Sequence, residues 1–198
     1  MDLSLFTKLY DPVMEPLEKI YLSKIRNELI KEVEGKVLEI GIGTGANFSH
    51  YPTDIELYGI EPSKEMMEKA YAKLSGFSQS VEITQGVAEE LPYPDQFFDT
   101  VISTLVLCSV QNLEASLLEI ARVLKPDGKF ILFEHIRLDD PRWIGWIQDV
   151  LTPSWSYFCD GCQLNRDTLK VAERYFVFEQ KEEYFNQVFI SAIGKKKI

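Results

Sequence analysis

The sequence predicts an α/β fold built on a mostly parallel β-sheet. From Lys36 onward, short apolar runs alternate with helical segments, which is the pattern of a parallel sheet covered by helices on both faces. Three glycines at alternate positions, Gly41, Gly43 and Gly45, predict a tight turn after the first apolar run. The last two apolar runs, 175–183 and 186–193, lie close enough in sequence to pair as an antiparallel hairpin.

Before the sheet, residues 1–34 are predicted to be helical, in two segments divided near Pro12 and Pro16. Apolar residues at spacings of three and four give the second segment an amphipathic face. The first segment carries Phe6, Tyr10 and Asp11, and we expect it to form a lid over the substrate. A helix packed at the edge of the domain is the alternative.

In the sheet region, each apolar run predicts a strand and each amphipathic stretch predicts a helix. Strands are expected at 36–40, 56–60, 81–85, 98–104 and 129–133, and helices at about 46–50, 62–74 and 113–124. The proline and glycine in residues 125–128 predict a turn that ends the last of these helices before its strand. Further helices are expected across the carboxyl end of the sheet, where Trp143, Trp146 and Trp155 serve mostly in packing. The alternative is that one or two of them line an apolar substrate cavity. Asn165 is predicted to cap a helix over 165–174.

The charge and hydropathy of the chain limit the kinds of binding partner that we expect. A formal net charge of −10 argues against nucleic acid, because a phosphate backbone requires a basic surface. No apolar run approaches the roughly 20 residues that cross a bilayer, so no membrane anchor is expected. The amino terminus lacks the basic-then-apolar order of a signal peptide. We therefore expect a cytoplasmic protein that acts on a small molecule; the sequence leaves its oligomeric state open.

Three cysteines, Cys108, Cys159 and Cys162, do not suggest a disulfide framework. The last two form a Cys-x-x-Cys pair, which would need two further ligands to hold zinc. The only histidines, His50 and His135, lie far from that pair in the sequence. We therefore predict no metal and expect all three cysteines to be ordinary thiols.

Two acidic residues flank the glycine-rich turn in a way that indicates a bound nucleoside. Glu39 precedes Gly41 by two residues, where a carboxylate would face the loop amides or the amino acid part of a ligand. Glu61 ends the next strand, twenty residues after Gly41, where an acidic side chain can accept both ribose hydroxyls. The stretch from Glu39 to Gly45 resembles the E/D-x-G-x-G-x-G motif of class I S-adenosylmethionine-dependent methyltransferases. It also fits the relaxed dinucleotide fingerprint through Ala46, which leaves a nicotinamide oxidoreductase as an alternative.

A second segment strengthens the resemblance to class I methyltransferases. The run GVAEELPY at 86–93, followed by PDQFFD at 94–99, is similar to the adenine-binding loop of that family. The family commonly places an aspartate where this chain has Val87, so the acceptor for the adenine amino group differs here. We expect the amide of Ala88 to meet the ring and Glu89 to accept from the amino group. The run RVLKPDG at 122–128 resembles the turn that ends a helix in the same family and is expected to be structural.

The resemblance covers about 36–135 and implies a Rossmann-like fold, a seven-stranded sheet and S-adenosylmethionine as cofactor. It also implies one domain over 1–198, with a helical edge at 1–34, a cofactor-binding core at 35–135, and substrate-side helices and the closing hairpin at 136–198. Cofactor contacts are then expected at the carboxyl ends of the strands. The predicted cofactor residues are Glu39, Gly41, Gly43, Thr44, Gly45, Asn47, Glu61, Pro62, Val87, Ala88, Glu89, Ser103, Thr104 and Leu105.

A narrower resemblance points to the methyl acceptor. The segments 43–48, 51–52, 104–110, 134–135 and 160–162, with Arg166, look like those of the animal methyltransferase-like alkyl-thiol S-methyltransferases. The resemblance implies methyl transfer to a small apolar acceptor, with a thiol as the leading hypothesis. A thiol must lose its proton before it reacts, and His135 and Asp160 are the candidates for the base. Methylation of carbon, nitrogen or oxygen in a lipid, quinone or other metabolite is an alternative, and so is binding of the cofactor without turnover.

Several polar residues near these segments have structural roles as their alternatives. His135 can serve in a hydrogen bond that only caps a loop, and Glu134 is expected to accept from backbone amides at its strand end. Cys108 is predicted to lie in the core, and Cys162 in the core or in a pocket wall. Arg166 is expected either to pair with Asp160 or to be a solvated charge.

Overall fold

The computed structural model describes residues 21–74, 80–139 and 141–197, so the predicted lid over the first twenty residues lies outside the described residues. Seven strands of the described chain form one sheet. They are β1 (Lys36–Ile40), β2 (Glu56–Glu61), β3 (Val81–Gln85), β4 (Phe98–Thr104), β5 (Leu124–His135), β6 (Phe176–Tyr184) and β7 (Phe189–Lys196). The order β3-β2-β1-β4-β5-β7-β6 is parallel through β5, and β7 is antiparallel to both neighbours. The predicted fold is confirmed.

Helices connect these strands and cover the sheet. In the described ranges they are α1 (Ser23–Ile30), α2 (Lys64–Lys73), α3 (Leu113–Val123), α4 (Arg142–Phe158) and α5 (Thr168–Ala172), with a 3₁₀ turn at Phe48–His50. Ser63 and Asn112 cap α2 and α3 by accepting from backbone amides of the first turn. None of the described helices is both long enough and apolar enough to span a bilayer.

Alternating residues of the strands feed two apolar clusters, one on each face of the sheet. Leu38, Phe130 and Leu132 belong to one cluster, and their chain neighbours Val37 and Ile131 belong to the other. A side-chain period of two sends consecutive residues to opposite faces, so both faces of the central strands are buried. Polar groups that bind ligands therefore have to come from the ends of the strands.

Two elements predicted within the sheet region differ in the structure. The helix expected at 46–50 is only the 3₁₀ turn. The strand expected at 129–133 begins at Leu124, because Leu124 pairs with Phe98 before Lys129 pairs with Thr100, and residues 125–128 form an excursion between these pairs. Pro126 lies in that excursion, where its missing amide breaks no ladder bond.

The predicted cap of the last helix is also wrong. Asp167 accepts from the Lys170 amide at 3.2 Å and so caps α5. Asn165 instead donates its side-chain amide to Asp149 at 2.9 Å, on α4. The acidic side chain two residues later therefore starts the helix, which is shorter than predicted.

The prediction that the tryptophans serve mostly in packing is contradicted. Trp143, Trp146 and Trp155 on α4 are 62%, 64% and 45% exposed. The opposite side of α4 is held by polar contacts, because the Gln148 side chain donates to the carbonyl of Ile136 and accepts from the amide of Leu138. The helix thus presents an apolar, aromatic surface to solvent.

Candidate functional site

The carboxyl ends of three strands each carry a buried carboxylate. Glu39 near the end of β1 is 2% exposed, Glu61 at the end of β2 is 7% exposed, and Glu134 near the end of β5 is fully buried. Parallel strands place these ends at one edge of the sheet, where ligands bind in open α/β folds. Burying a carboxylate is costly unless it is hydrogen-bonded, so the partners of each one define the site.

The glycine loop after β1 has space for a ligand at one position only. Gly41, Gly43 and Gly45 all have positive φ, at 64°, 57° and 75°. A Cβ on Gly41 would lie 2.5 Å from the Val106 side chain, and a Cβ on Gly45 would lie 2.3 Å from the Phe48 ring. A Cβ on Gly43 would meet only the carbonyl oxygen of Gly41, at 3.8 Å. The outer two glycines therefore allow close packing within the protein, and Gly43 faces open space.

Glu61 connects the glycine loop to the start of α2. One carboxylate oxygen accepts from the Gly43 amide at 3.1 Å, and the other accepts from the Ser63 amide at 2.9 Å. Burial raises the pKa of Glu61 above its usual value despite these two bonds. A carboxylate has about four lone-pair sites, so both oxygens can still accept from a ribose diol.

Glu39 lies beneath the loop in a buried polar network. Its oxygens accept from the Asn47 side-chain amide at 2.6 Å and from the Tyr51 hydroxyl at 2.9 Å. Arg26, on α1, donates to the Asn47 side chain at 2.9 Å and to the Thr104 hydroxyl at 2.8 Å. Asn47 thus supports the loop from below, since its side chain is buried and bonded within the protein.

Sequence analysis missed Arg26 and Tyr51 as parts of this network. Arg26 is one of the buried residues of α1. Its position within the apolar face of that helix is the only sequence signal that could have predicted a buried polar role. Burial raises the pKa of Glu39 to about 7, although the bonds from Tyr51 and Asn47 and the charge of Arg26 lower it. The carboxyl group therefore changes its charge near neutral pH.

Glu134 holds the loop that follows β4, as predicted. One of its oxygens accepts from the amides of Val106 and Leu107, at 2.9 and 2.8 Å, and from the Ser103 hydroxyl at 3.2 Å. Leu105 adopts a positive φ of 61°, a strained conformation for a non-glycine residue. Ser103 and Leu105 were predicted to contact the cofactor; their described bonds are to Glu134 and, for the Leu105 amide, to the Phe133 carbonyl at 2.7 Å.

The remaining predicted cofactor residues line the same edge. Val87 is 44% exposed, whereas Ala88 is buried behind it. Glu89 accepts from the Asn112 amide at 3.0 Å, which ties the predicted adenine loop to the start of α3. Pro62 is exposed beside Glu61, and Thr44 is buried in the glycine loop, where its hydroxyl accepts from Lys73 at 3.2 Å. The structure thus brings the predicted cofactor residues to one edge, some at its surface and some as buried supports.

Three side chains that the sequence left apart meet beside this edge. Cys108 after β4, His135 at the end of β5 and Cys162 after α4 have their donor atoms within 4.8 Å of one another. His135 Nε2 lies 3.0 Å from the Cys162 sulfur, and the Trp155 indole N–H donates to that sulfur at 3.3 Å. Cys108 is buried, as predicted. We refer to Cys108, His135 and Cys162 as the sulfur cluster.

The pKa values of the groups in the sulfur cluster are shifted in different directions. The hydrogen bond from the Cys108 thiol and the bond and charge of His135 lower the pKa of Cys162 to about 4. The same bond to Cys162, together with burial, raises the pKa of Cys108 well above its usual value. Burial lowers the pKa of His135, but the bond and charge of Cys162 together with the charge of Glu134 outweigh that effect and raise the pKa. His135 Nδ1 is buried and has no hydrogen-bond partner among the described residues.

The turn after α4 carries Asp160 and Cys162 over the loop that follows β4. Arg166 fastens this turn, because its guanidinium donates to the carbonyls of Leu107 and Val110 at 2.8 and 2.7 Å. The expectation that Arg166 pairs with Asp160 or is a solvated charge is therefore wrong. Asp160 has a positive φ of 47° and lies near enough to Glu61 for their charges to interact. The turn thus reaches across the carboxyl edge toward the glycine loop.

Comparisons with known proteins agree with this arrangement. A family model described as a methyltransferase domain matches residues 38–132. The thiol S-methyltransferase TMT1A of Homo sapiens is 34% identical over 173 residues, which cover 85% of this chain and 70% of that protein. The phosphatidylethanolamine N-methyltransferase of Cereibacter sphaeroides is 35% identical over 107 residues, or 53% of each chain.

Solved structures show the same fold. An S-adenosylmethionine-dependent methyltransferase of Thermotoga maritima, described as a possible histamine N-methyltransferase, superposes with a TM-score of 0.72 at 22% identity. The match covers 98% of this chain and 99% of that one. The YcgJ protein of Bacillus subtilis superposes with a TM-score of 0.67 at 24% identity, over 80% of this chain and 71% of that one.

We expect Glu39 to make the folded chain less stable as the pH rises. Its folded pKa of about 7 exceeds the usual 4.5, so its contribution is complete below about pH 4.5 and is lost as the pH rises through about 7. The shift corresponds to roughly 3 kcal/mol. In urea titrations, the unfolding free energy of the wild type minus that of Glu39→Gln should fall by roughly 3 kcal/mol between about pH 4.5 and 8.

The matched control is Glu68→Gln on the exposed surface of α2, for which the difference from wild type should not change with pH. Arg26, Tyr51 and Glu61 also act on Glu39, and all three are retained in the Glu39 variant. A pH-independent difference for Glu39→Gln would contradict the assignment.

Proposed function

Because this chain belongs to the S-adenosylmethionine-dependent methyltransferase family, we propose that it transfers the cofactor's methyl group to the sulfur of a small thiol. The single observation that supports this acceptor most strongly is the 34% identity to a thiol S-methyltransferase over 85% of the chain. The N-methyltransferase relative aligns with only 53% of the chain. The thiol relative therefore also aligns with segments outside the shared methyltransferase domain.

The residues at the carboxyl edge fit the parts of S-adenosylmethionine. Glu61 would accept from the ribose hydroxyls, and the open space at Gly43 would admit the ligand next to the loop amides. The exposed Val87 side chain would cover one face of the adenine ring, and Glu39 would balance the charge of the ammonium group from beneath the loop. When bound, the cofactor would supply a methyl group on a positively charged sulfur. The acceptor thiolate would form a bond to that methyl carbon in line as its bond to the cofactor sulfur breaks, with S-adenosylhomocysteine as the leaving group.

An apolar acceptor suits the surface beside the sulfur cluster. The exposed tryptophans of α4 end in Trp155, whose N–H contacts the cluster at Cys162. Apolar walls exclude water from a reacting thiolate, which is the nucleophilic form of the acceptor. The proposed path for the acceptor therefore runs along α4 to the edge of the sheet.

Asp160 is our candidate for the base that takes the acceptor's proton. It lies in the turn after α4, and its carboxylate is near enough to Glu61 for their charges to interact. His135 was the other predicted base, but its Nε2 is directed at Cys162. We therefore assign His135 a role through Cys162 and not through direct contact with the acceptor.

The proposed function predicts labelled thioether when the chain is incubated with methyl-labelled S-adenosylmethionine and a simple alkyl thiol. Glu61→Ala should weaken S-adenosylhomocysteine binding at least about 100-fold, since two hydrogen bonds to a charged group are lost. Glu61→Gln keeps one acceptor oxygen and should weaken binding less. Mass spectrometry of the product and calorimetry of binding provide the two measurements.

Glu68→Ala, on the exposed face of the helix that follows Glu61, is the control and should bind as the wild type does. Wild-type affinity in Glu61→Ala would refute the ribose assignment. Tight binding without any methylated thiol would refute the thiol acceptor, and labelled amine or lipid products would identify the alternative acceptors.

The role of Asp160 predicts a dependence on the acidity of the acceptor. Asp160→Asn should lower kcat/KM about 100-fold or more for an alkyl thiol, whose proton must be removed. A nitrothiophenol is already ionised at neutral pH, so its kcat/KM should fall by less than about tenfold. Asp127→Asn, in the exposed excursion at residues 125–128 within β5, is the control. Equal losses for both acceptors would show that Asp160 only positions the site.

A further inference from the structure

We infer that Cys108, His135 and Cys162 form a binding site for a divalent zinc ion. Each residue offers one donor atom, and the three atoms lie within 4.8 Å of one another. They come from three different elements, so the fold itself brings them together. Two thiolates and one imidazole are a donor set that zinc prefers, and a Cys₂His set of protein ligands occurs in zinc enzymes.

The distances between the donor atoms suit a tetrahedral ion after small side-chain movements. Zinc binds sulfur at about 2.3 Å and imidazole nitrogen at about 2.0–2.1 Å, so neighbouring ligand atoms are separated by roughly 3.6–3.8 Å. His135 Nε2 and the Cys162 sulfur are 3.0 Å apart, and no pair of donor atoms exceeds 4.8 Å. Changes of about 1 Å or less in these separations would satisfy the geometry.

The backbone around the cluster is held in place by hydrogen bonds that do not involve the donor atoms. The Gln163 amide donates to the Cys108 carbonyl at 3.1 Å, which joins the loop after β4 to the turn after α4. Arg166 bonds the same two segments through the carbonyls of Leu107 and Val110. A preorganised backbone reduces the cost of ordering three ligands around an ion.

The charges around the cluster are also balanced for a divalent cation. Two thiolates neutralise the ion, and the nearby charges of Arg166 and Glu134 are of opposite sign. Both residues already have hydrogen-bond partners in the protein, and neither needs to change position when an ion binds.

Three protein ligands leave one coordination position open, as in catalytic zinc sites. Cys108 and His135 are buried and Cys162 is half-buried, so the open position lies on the Cys162 side, near Trp155 and Asp160. A thiol that coordinates zinc loses its proton outright. This last role rests on the proposed function: the ion would hold the acceptor sulfur as a thiolate.

The test is titration of the full, reduced chain with Co²⁺, followed by displacement with Zn²⁺. We expect one ion per chain, sulfur-to-cobalt charge-transfer absorption and the intense visible bands of a four-coordinate site. Cys162→Ser, Cys108→Ser and His135→Gln should each weaken binding by more than the roughly 10–100-fold that loss of an outer-shell partner costs. Cys159→Ser is the matched control and should bind the metal as the wild type does.

X-ray absorption of the wild-type zinc complex provides a second measurement that needs no variant. Two sulfur ligands at about 2.3 Å and at least one nitrogen ligand at about 2.0–2.1 Å are expected. The inference would be overturned if no metal bound, or if Cys159→Ser weakened metal binding as much as Cys162→Ser does. A Cys108–Cys162 disulfide in reduced preparations would also overturn it. Added alkyl thiol should shift the cobalt spectrum.

These readouts do not require methyl transfer. A chain that binds zinc but methylates no thiol would retain the metal site and lose the proposed acceptor. If the chain methylates thiols but binds no metal, the proposed acceptor is retained and the metal site is refuted.

Discussion

The site depends on how the protein compensates three carboxylates buried at one edge of its sheet. Glu61 and Glu134 accept from the amides of the glycine loop and of the loop after β4, and Glu39 accepts from side chains beneath the glycine loop. Hydrogen bonds to a charged group are stronger than those between neutral groups, so Glu61 and Glu134 fix the backbone of the loops that they contact. The loops that would meet the cofactor are therefore shaped by charges already inside the protein.

The turn after α4, which lies over this edge, is attached by a different kind of contact. The turn after α4 is held by Arg166 and by the backbone of Gln163, both of which bond to carbonyls of the loop after β4. That loop is the one that Glu134 holds from below. A single loop thus connects the cofactor edge to the segment that carries Asp160 and Cys162, and positioning of cofactor and acceptor is coupled through it.

Much of the fold followed from patterns that are local in sequence. The five parallel strands and the hairpin agree with apolar periodicity and turn chemistry. The exposed tryptophans of α4 could not be predicted, because periodicity does not show which side of a helix meets other elements. The sulfur cluster escaped prediction for a related reason: Cys108 and Cys162 are separated by 54 residues, and only the fold brings them to one place. The structure likewise shows what the sequence could not, that of the three glycines only Gly43 faces open space.

Hydrogen–deuterium exchange of the full chain with and without S-adenosylhomocysteine tests the cofactor site most directly. We expect slower exchange in peptides that cover 41–47, 61–63 and 86–89, the segments at the carboxyl edge of β1, β2 and β3. Peptides from the β6–β7 hairpin should exchange unchanged, because that part of the sheet lies away from the glycine loop. Protection confined to other segments, or absent from the glycine loop, would contradict the account.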